Sequence, residues 1–137
     1  MLETHTATDV AEITFPAGLP GFPYAHRFVV GPWGPAGSPF LLLSSMEDAD
    51  VGFVVVPPWV FYPDYDFELD SGTAERLELA GAEDAVVFAV VTLRERPEES
   101  TLNLLGPIVV NRFTHEAAQV VLPSAGYSVR APLAIAS

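Results

Sequence analysis

The sequence contains no cysteine. That absence excludes a disulfide framework, a thiolate nucleophile and any cysteine-ligated metal. Lysine is also missing: all six basic residues are arginine, against 18 Asp and Glu, giving a formal net charge of −12. Six scattered arginines do not build the basic face that nucleic acid demands, so direct nucleic-acid binding is not expected. Long apolar runs are lacking too. The longest, Val51–Tyr62, is interrupted by Pro57 and Pro58 and is too short to span a bilayer. Met1–Val10 has neither the basic start nor the apolar stretch of a secretion signal. The expectation is a cytoplasmic protein with no membrane role. Motifs for chemistry are equally sparse: no G-x-S-x-G, H-E-x-x-H or glycine-rich phosphate loop occurs. His5, His26 and His115 have no ligand-like i, i+4 partner. No catalytic residue, cofactor or metal site is therefore assigned.

What is present is a core. Half the residues are hydrophobic and only 18% are charged, the reverse of a disordered acidic tail. The charge is also localised. Residues 45–84 hold eleven acids and one base, Arg76, whereas residues 1–44 hold three acids and one base. A charge serving solubility alone would be spread, with both signs interspersed. A focused acidic surface favours a basic partner.

Thirteen Pro and ten Gly punctuate short β-branched and aromatic runs. Strands are expected at Val10–Phe15, Arg27–Val30, Phe40–Ser44, Gly52–Val56, Thr101–Leu105, Ile108–Val110 and Ala117–Leu122, the last two forming a hairpin. Val86–Leu93 is apolar almost throughout, as a strand buried on both faces would be. Pro57-Pro58 must lie at an edge, bend or bulge. Ser71 is positioned to cap a short helix over Thr73–Leu79, closed by Gly81, and Ser45–Asp48 resembles a capping box on a single turn. The expected fold is all-β: a small antiparallel β-barrel-like domain with one or two short helices. It forms a single domain over 1–137, with 1–9 as a tail and 134–137 as a frayed end.

The most informative segment is Asp64–Asp70, in which four acids alternate with Tyr65, Phe67 and Leu69. Period two predicts a half-buried strand with a row of acids on its outer face. Solvent alone accommodates such a row, and a basic partner surface is the functional alternative. A calcium loop starting at Asp64 fails, because Leu69 occupies the position that needs glycine. Trp59, Phe61 and Tyr62 precede the segment. Strand alternation would put Trp59 and Phe61 on one side and Tyr62 on the other. Aromatic residues beside charges are typical of binding surfaces. Paired carboxylates also leave a two-acid hydrolase or a metal-binding β-protein as readings from another class.

The motifs, taken in order, resemble the FliW flagellar assembly factor family. Gly18-Leu19-Pro20-Gly21-Phe22 is similar to the family's G-[IL]-P-G-F. Phe61 to Phe67 is similar to its aromatic-P-D-Y-x-F segment, and Asn103 to Asn111 to N-L-x-A-P-[IV]-x-[IV]-N. Gln119–Leu122, Tyr127–Arg130 and Pro132-Leu133 complete the set, in register from about Ala11 to Leu133. Gly106 stands where the family has Ala, Pro57 replaces an expected polar residue, and the loop 31–39 is unusually rich in Pro and Gly. The resemblance implies a non-enzymatic, monomeric chaperone and regulator with two protein partners. One is flagellin, bound through its terminal helical region. The other is a CsrA-type RNA-binding translational repressor, whose sequestration couples flagellin level to flagellin translation by partner switching. A flagellin-binding chaperone without CsrA control is the narrower alternative. Asp64, Asp66 and Glu68 are the candidate electrostatic contacts. Tyr62, Leu104 and Leu105 are the candidate apolar contacts.

Overall fold

The computed structural model describes residues 12–19, 21–22, 24–96, 99–122 and 127–133. The expected tail (1–9), the frayed end (134–137) and the start of the first predicted strand lie outside these. Among the described residues the chain forms nine strands and one short helix, and every strand pairing is antiparallel. The strands are β1 (Glu12–Thr14), β2 (Arg27–Pro32), β3 (Leu41–Ser45), β4 (Gly52–Val56), β5 (Ala85–Thr92), β6 (Thr101–Leu102), β7 (Ile108–Asn111), β8 (Ala117–Gln119) and β9 (Ala131–Pro132); helix α1 is Ser71–Arg76. The expected all-β, barrel-like class is the one observed.

Pairing runs β1-β2-β3-β4-β5, then from β5 to β7 and from β7 to β8. A parallel bridge between Thr14 and Glu116 returns the start of β8 to β1, with the Thr14 amide donating to the His115 carbonyl (2.9 Å). The circuit is thus a small closed barrel. Its interior holds Ile13, Phe15, Phe28, Leu43, Val55, Val86, Phe88, Ile108 and Val110. Closure removes the free edges that an open sheet would expose.

The sequence around Asn103 breaks one long strand into β6 and β7. Both lie against the same edge of β5, but Val91 faces Leu102 whereas Phe88 faces Ile108. Between these pairs two residues of β5 therefore oppose five of its neighbour, and the excess is looped out. Asn103 Oδ1 holds the loop by accepting from the amides of Leu105 (3.1 Å) and Gly106 (2.8 Å). Pro107 has no amide to give. The predicted break at Gly106-Pro107 is thus real but begins earlier, at Asn103.

Strand β5 is buried on both faces, as its composition predicted. Val86 and Phe88 point into the barrel, while Val87, Ala89 and Val91 point outward into further apolar clusters. Something must cover that outer face, and the 58–79 segment does so.

Here the structure departs from the expected elements. Pro58–Val60 is a 3-10 turn, with Pro58 as its first residue, so strand alternation does not apply to Trp59–Tyr62. Asp64–Asp70 pairs with no strand among the described residues. Its burial nevertheless alternates: Tyr65 is buried, Phe67 and Leu69 are half-buried, and all four acids are exposed. Period two correctly predicted which way each side chain faces; it carries no information about pairing partners. Asp70 and not Ser71 takes the N-cap position of helix α1; its carboxylate bonds no backbone amide there but accepts from Thr73 Oγ1 (2.5 Å). The helix ends at Arg76, well before Gly81, and Glu78, with φ 58°, turns the chain just beyond it. Ser45 accepts from the amides of Glu47 and Asp48 (3.1 Å each), and a single turn follows, as expected. In the first motif, Gly21 adopts φ 85° and Phe22 donates to the Leu19 carbonyl (2.8 Å), as a type II turn requires.

Candidate functional site

The segment from Trp59 to Leu69 forms a strap across the outer face of β5 and β7. Side chains, not a β-ladder, hold it there. Trp59 Nε1–H donates to the Tyr65 carbonyl (2.7 Å). The Tyr65 hydroxyl, buried, donates to the Leu104 carbonyl (2.7 Å). The Tyr127 hydroxyl accepts from the Asp66 amide (3.0 Å) and donates to the Asp66 carbonyl (2.7 Å). The Tyr62 hydroxyl donates to the Pro132 carbonyl. The rings also pack on one another: Tyr65 lies 4.7 Å from Tyr127 and 5.5 Å from Phe67, centroid to centroid. Burial drives the Tyr65 phenol well above its ordinary value, with Tyr127 adding to the effect, and raises that of Tyr62. Both therefore stay protonated and serve as donors.

Asp64, Asp66 and Glu68 project from this strap into solvent and form no ion pair among the described residues. Asp70 differs: its bond from Thr73 comes first in holding its carboxyl below the usual range, with Arg76 nearby adding a smaller pull. The three strap acids are uncompensated charge on a rigidly packed support.

Beside the strap lies an open cleft of about 580 Å³. The strap residues Asp66 to Leu69 form one wall, with Trp59 at its end. Ala74, Leu79 to Ala82, Ala85, Val87 and Val109 complete the lining. The lining is predominantly apolar, with acids on one rim. Asp66 and Glu68 are neighbours on the same face of one segment and do not oppose each other across the cleft, an arrangement unsuited to two-acid hydrolysis. No group of three His, Asp or Glu among the described residues is arranged to hold a metal.

The sequence-derived contact residues separate here. Tyr62 is half-buried at the edge of the strap, and Leu105 is half-buried against the cluster around Leu77 and Val109. Leu104 is 3% exposed and packs in the core beside Tyr65. Its side chain is a support and not a contact, because the loop set by Asn103 turns it inward. Sequence reasoning missed the cleft. Its lining comes from separate segments of the chain, out to Val109, and nothing local marks Leu79, Val87 or Val109 as neighbours of the strap. The one available signal was Trp59, an indole directly before an acidic row.

Asn111 ties this side of the molecule to the barrel. Buried at the end of β7, its Nδ2 donates to the carbonyls of Leu77 (2.7 Å) and Glu78 (3.2 Å). Its Oδ1 accepts from the amides of Phe113 (2.8 Å) and Thr114 (3.1 Å). One side chain thus fixes both the end of α1 and the β7–β8 turn. Gly106 is similarly constrained: a Cβ there would stand 3.1 Å from both Asn103 Nδ2 and Gln119 Nε2. Those amides would have to yield to an alanine.

Comparison with known proteins agrees with this architecture. The family described as FliW protein matches residues 2–133. The chain is 42% identical over 132 residues to a flagellar assembly factor FliW of Bacillus licheniformis, covering 94% of this chain and 92% of that one. It is 40% identical to the protein of that name in Bacillus subtilis, covering 88% of this chain and 84% of the other. A crystal structure of the flagellar assembly factor FliW superposes with a TM-score of 0.84 at 30% identity, covering 90% of this chain and 85% of that one. The chain belongs to the FliW family.

Proposed function

We propose that this protein is a cytoplasmic flagellar assembly factor: a non-enzymatic chaperone and regulator that binds flagellin and sequesters a CsrA-type translational repressor. Free flagellin captures it, the released repressor then silences flagellin synthesis, and the two occupancies are thermodynamically coupled. The carrying observation is the exposed, unpaired row Asp64, Asp66 and Glu68 on a strap held rigid by Trp59, Tyr65 and Tyr127. An RNA-binding repressor must be basic, and an uncompensated acidic row speeds encounter with such a surface. The names of the relatives supply the flagellar context. Tyr62 and Leu105, both partly accessible, are the apolar contacts proposed beside the row.

Charge reversal tests the reading. Asp64→Arg combined with Asp66→Arg weakens repressor binding strongly and flagellin binding less, measured by titration calorimetry at two salt concentrations. Unchanged repressor affinity would sink the electrostatic assignment. Recovery of flagellin without a CsrA-type protein, with this chain as bait in motile-cell lysate, would favour the chaperone-only reading.

A further inference from the structure

After the turn at Pro63-Asp64, burial alternates residue by residue from Tyr65 to Asp70 with no helix or turn between, and Asp70 is itself extended, the pattern of extended chain. In extended chain, one residue's N–H and C=O point to the same edge, and successive residues point to opposite edges. Asp66 directs both groups at the Tyr127 hydroxyl. Tyr65 presents its carbonyl on the other edge, to Trp59. Phe67 and Leu69 share the edge of Tyr65, and Trp59 lines the cleft. The amides and carbonyls of Phe67 and Leu69 therefore face the cleft, and among the described residues they have no hydrogen-bond partner.

We propose that the strap is an acceptor edge: a partner segment enters the cleft in extended form and pairs with the main chain of Phe67 and Leu69. This rests on the partner-binding reading above and specifies its mode. Pairing of this kind draws affinity from main-chain bonds and specificity from alternate side chains. The inward side chains of the guest lie over Ala85, Val87 and Val109, so they must be apolar. Its outward side chains lie beside Asp66 and Glu68, which carry uncompensated negative charge. The occupant is therefore a protein segment in which basic and apolar residues alternate. A second copy of this chain does not qualify, because its own strap is acidic.

The test uses the full chain and a short labelled peptide alternating arginine and valine, read by fluorescence anisotropy. A control peptide of the same composition has its arginines and valines in separate blocks. The alternating peptide binds about tenfold or more tightly than the control. N-methylation of the valine nitrogens, which face the strap in antiparallel pairing, removes that advantage; methylation of the arginine nitrogens does not. The reverse pattern indicates parallel pairing and also supports the site. Hydrogen exchange slows at the amides of Phe67 and Leu69 when the alternating peptide is bound. Asp66→Asn with Glu68→Gln reduces the affinity and its salt dependence. Equal binding of both peptides, or equal effects of both methylation sets, overturns the proposal and leaves only attraction to net charge. Failure of the peptide while the CsrA-type repressor still binds overturns the acceptor edge and not the functional reading. Loss of both natural partners with peptide binding intact does the opposite.

Discussion

The barrel and the strap solve the same burial problem by different means. In the barrel, apolar side chains face inward and every strand finds a neighbour, so the main chain is consumed by its own ladders. In the strap, Tyr65, Phe67 and Leu69 also face inward, but no strand among the described residues lies alongside. Trp59 and Tyr127 substitute, each satisfying main-chain groups with one side chain. The difference separates stability from availability. Ladders fix a fold and leave nothing to offer, whereas side-chain latches fix a segment and leave part of its edge open.

The sharpest break in the comparison comes from the barrel. Phe88 is fully buried at its centre, and Phe88→Ala costs about 3–5 kcal/mol, the usual range for an aromatic cavity. Chemical denaturation with far-UV circular dichroism should show loss of the whole fold, strap included. A smaller effect comes from the latch. Tyr65→Phe strands the Leu104 carbonyl and costs about 1–2 kcal/mol. The loss is local: native-state hydrogen exchange accelerates across 61–79 while the amides of β5 and β7 stay protected. Acceleration of both regions alike would mean that strap and barrel form one cooperative unit. The smallest effect is electrostatic. The carboxyl of Asp70 is held below its ordinary value of 3.8, chiefly by Thr73. A group depressed in the folded state stabilises above its unfolded pKa and loses that contribution as pH falls through the folded one. Asp70→Asn therefore flattens the decline of stability below about pH 4, measured as thermal midpoint against pH. The change is confined to the helix end and leaves the barrel untouched.

Legibility in the sequence followed the same division. Strand β5 could be read outright, because a run that is apolar on both faces must be covered on both. The Asp64–Asp70 pattern gave the orientation of every side chain and yet suggested a paired strand, for which no partner lies among the described residues. Alternation reports what each residue faces; pairing is decided by what else is free to approach, and here aromatic side chains arrived first. Leu104 and Leu105 are equivalent as letters. Asn103 distinguishes them by looping the chain so that one is buried and the other half-exposed. At the helix start, Asp70 and Ser71 are both competent caps, and composition alone does not choose between adjacent candidates. The cleft was illegible for a different reason: its lining comes together only through tertiary packing.

The bridge between Thr14 and Glu116 has a kinetic consequence. It joins positions about a hundred residues apart, and contacts of that separation are slow to form. Strand β1 can dock on β2 early, but the ring has no closing partner until the β7–β8 hairpin exists. During synthesis, almost the whole chain must leave the ribosome before the barrel can shut. Until then β1 retains an exposed edge on its far side, and the incomplete sheet is most vulnerable to mispairing during that interval.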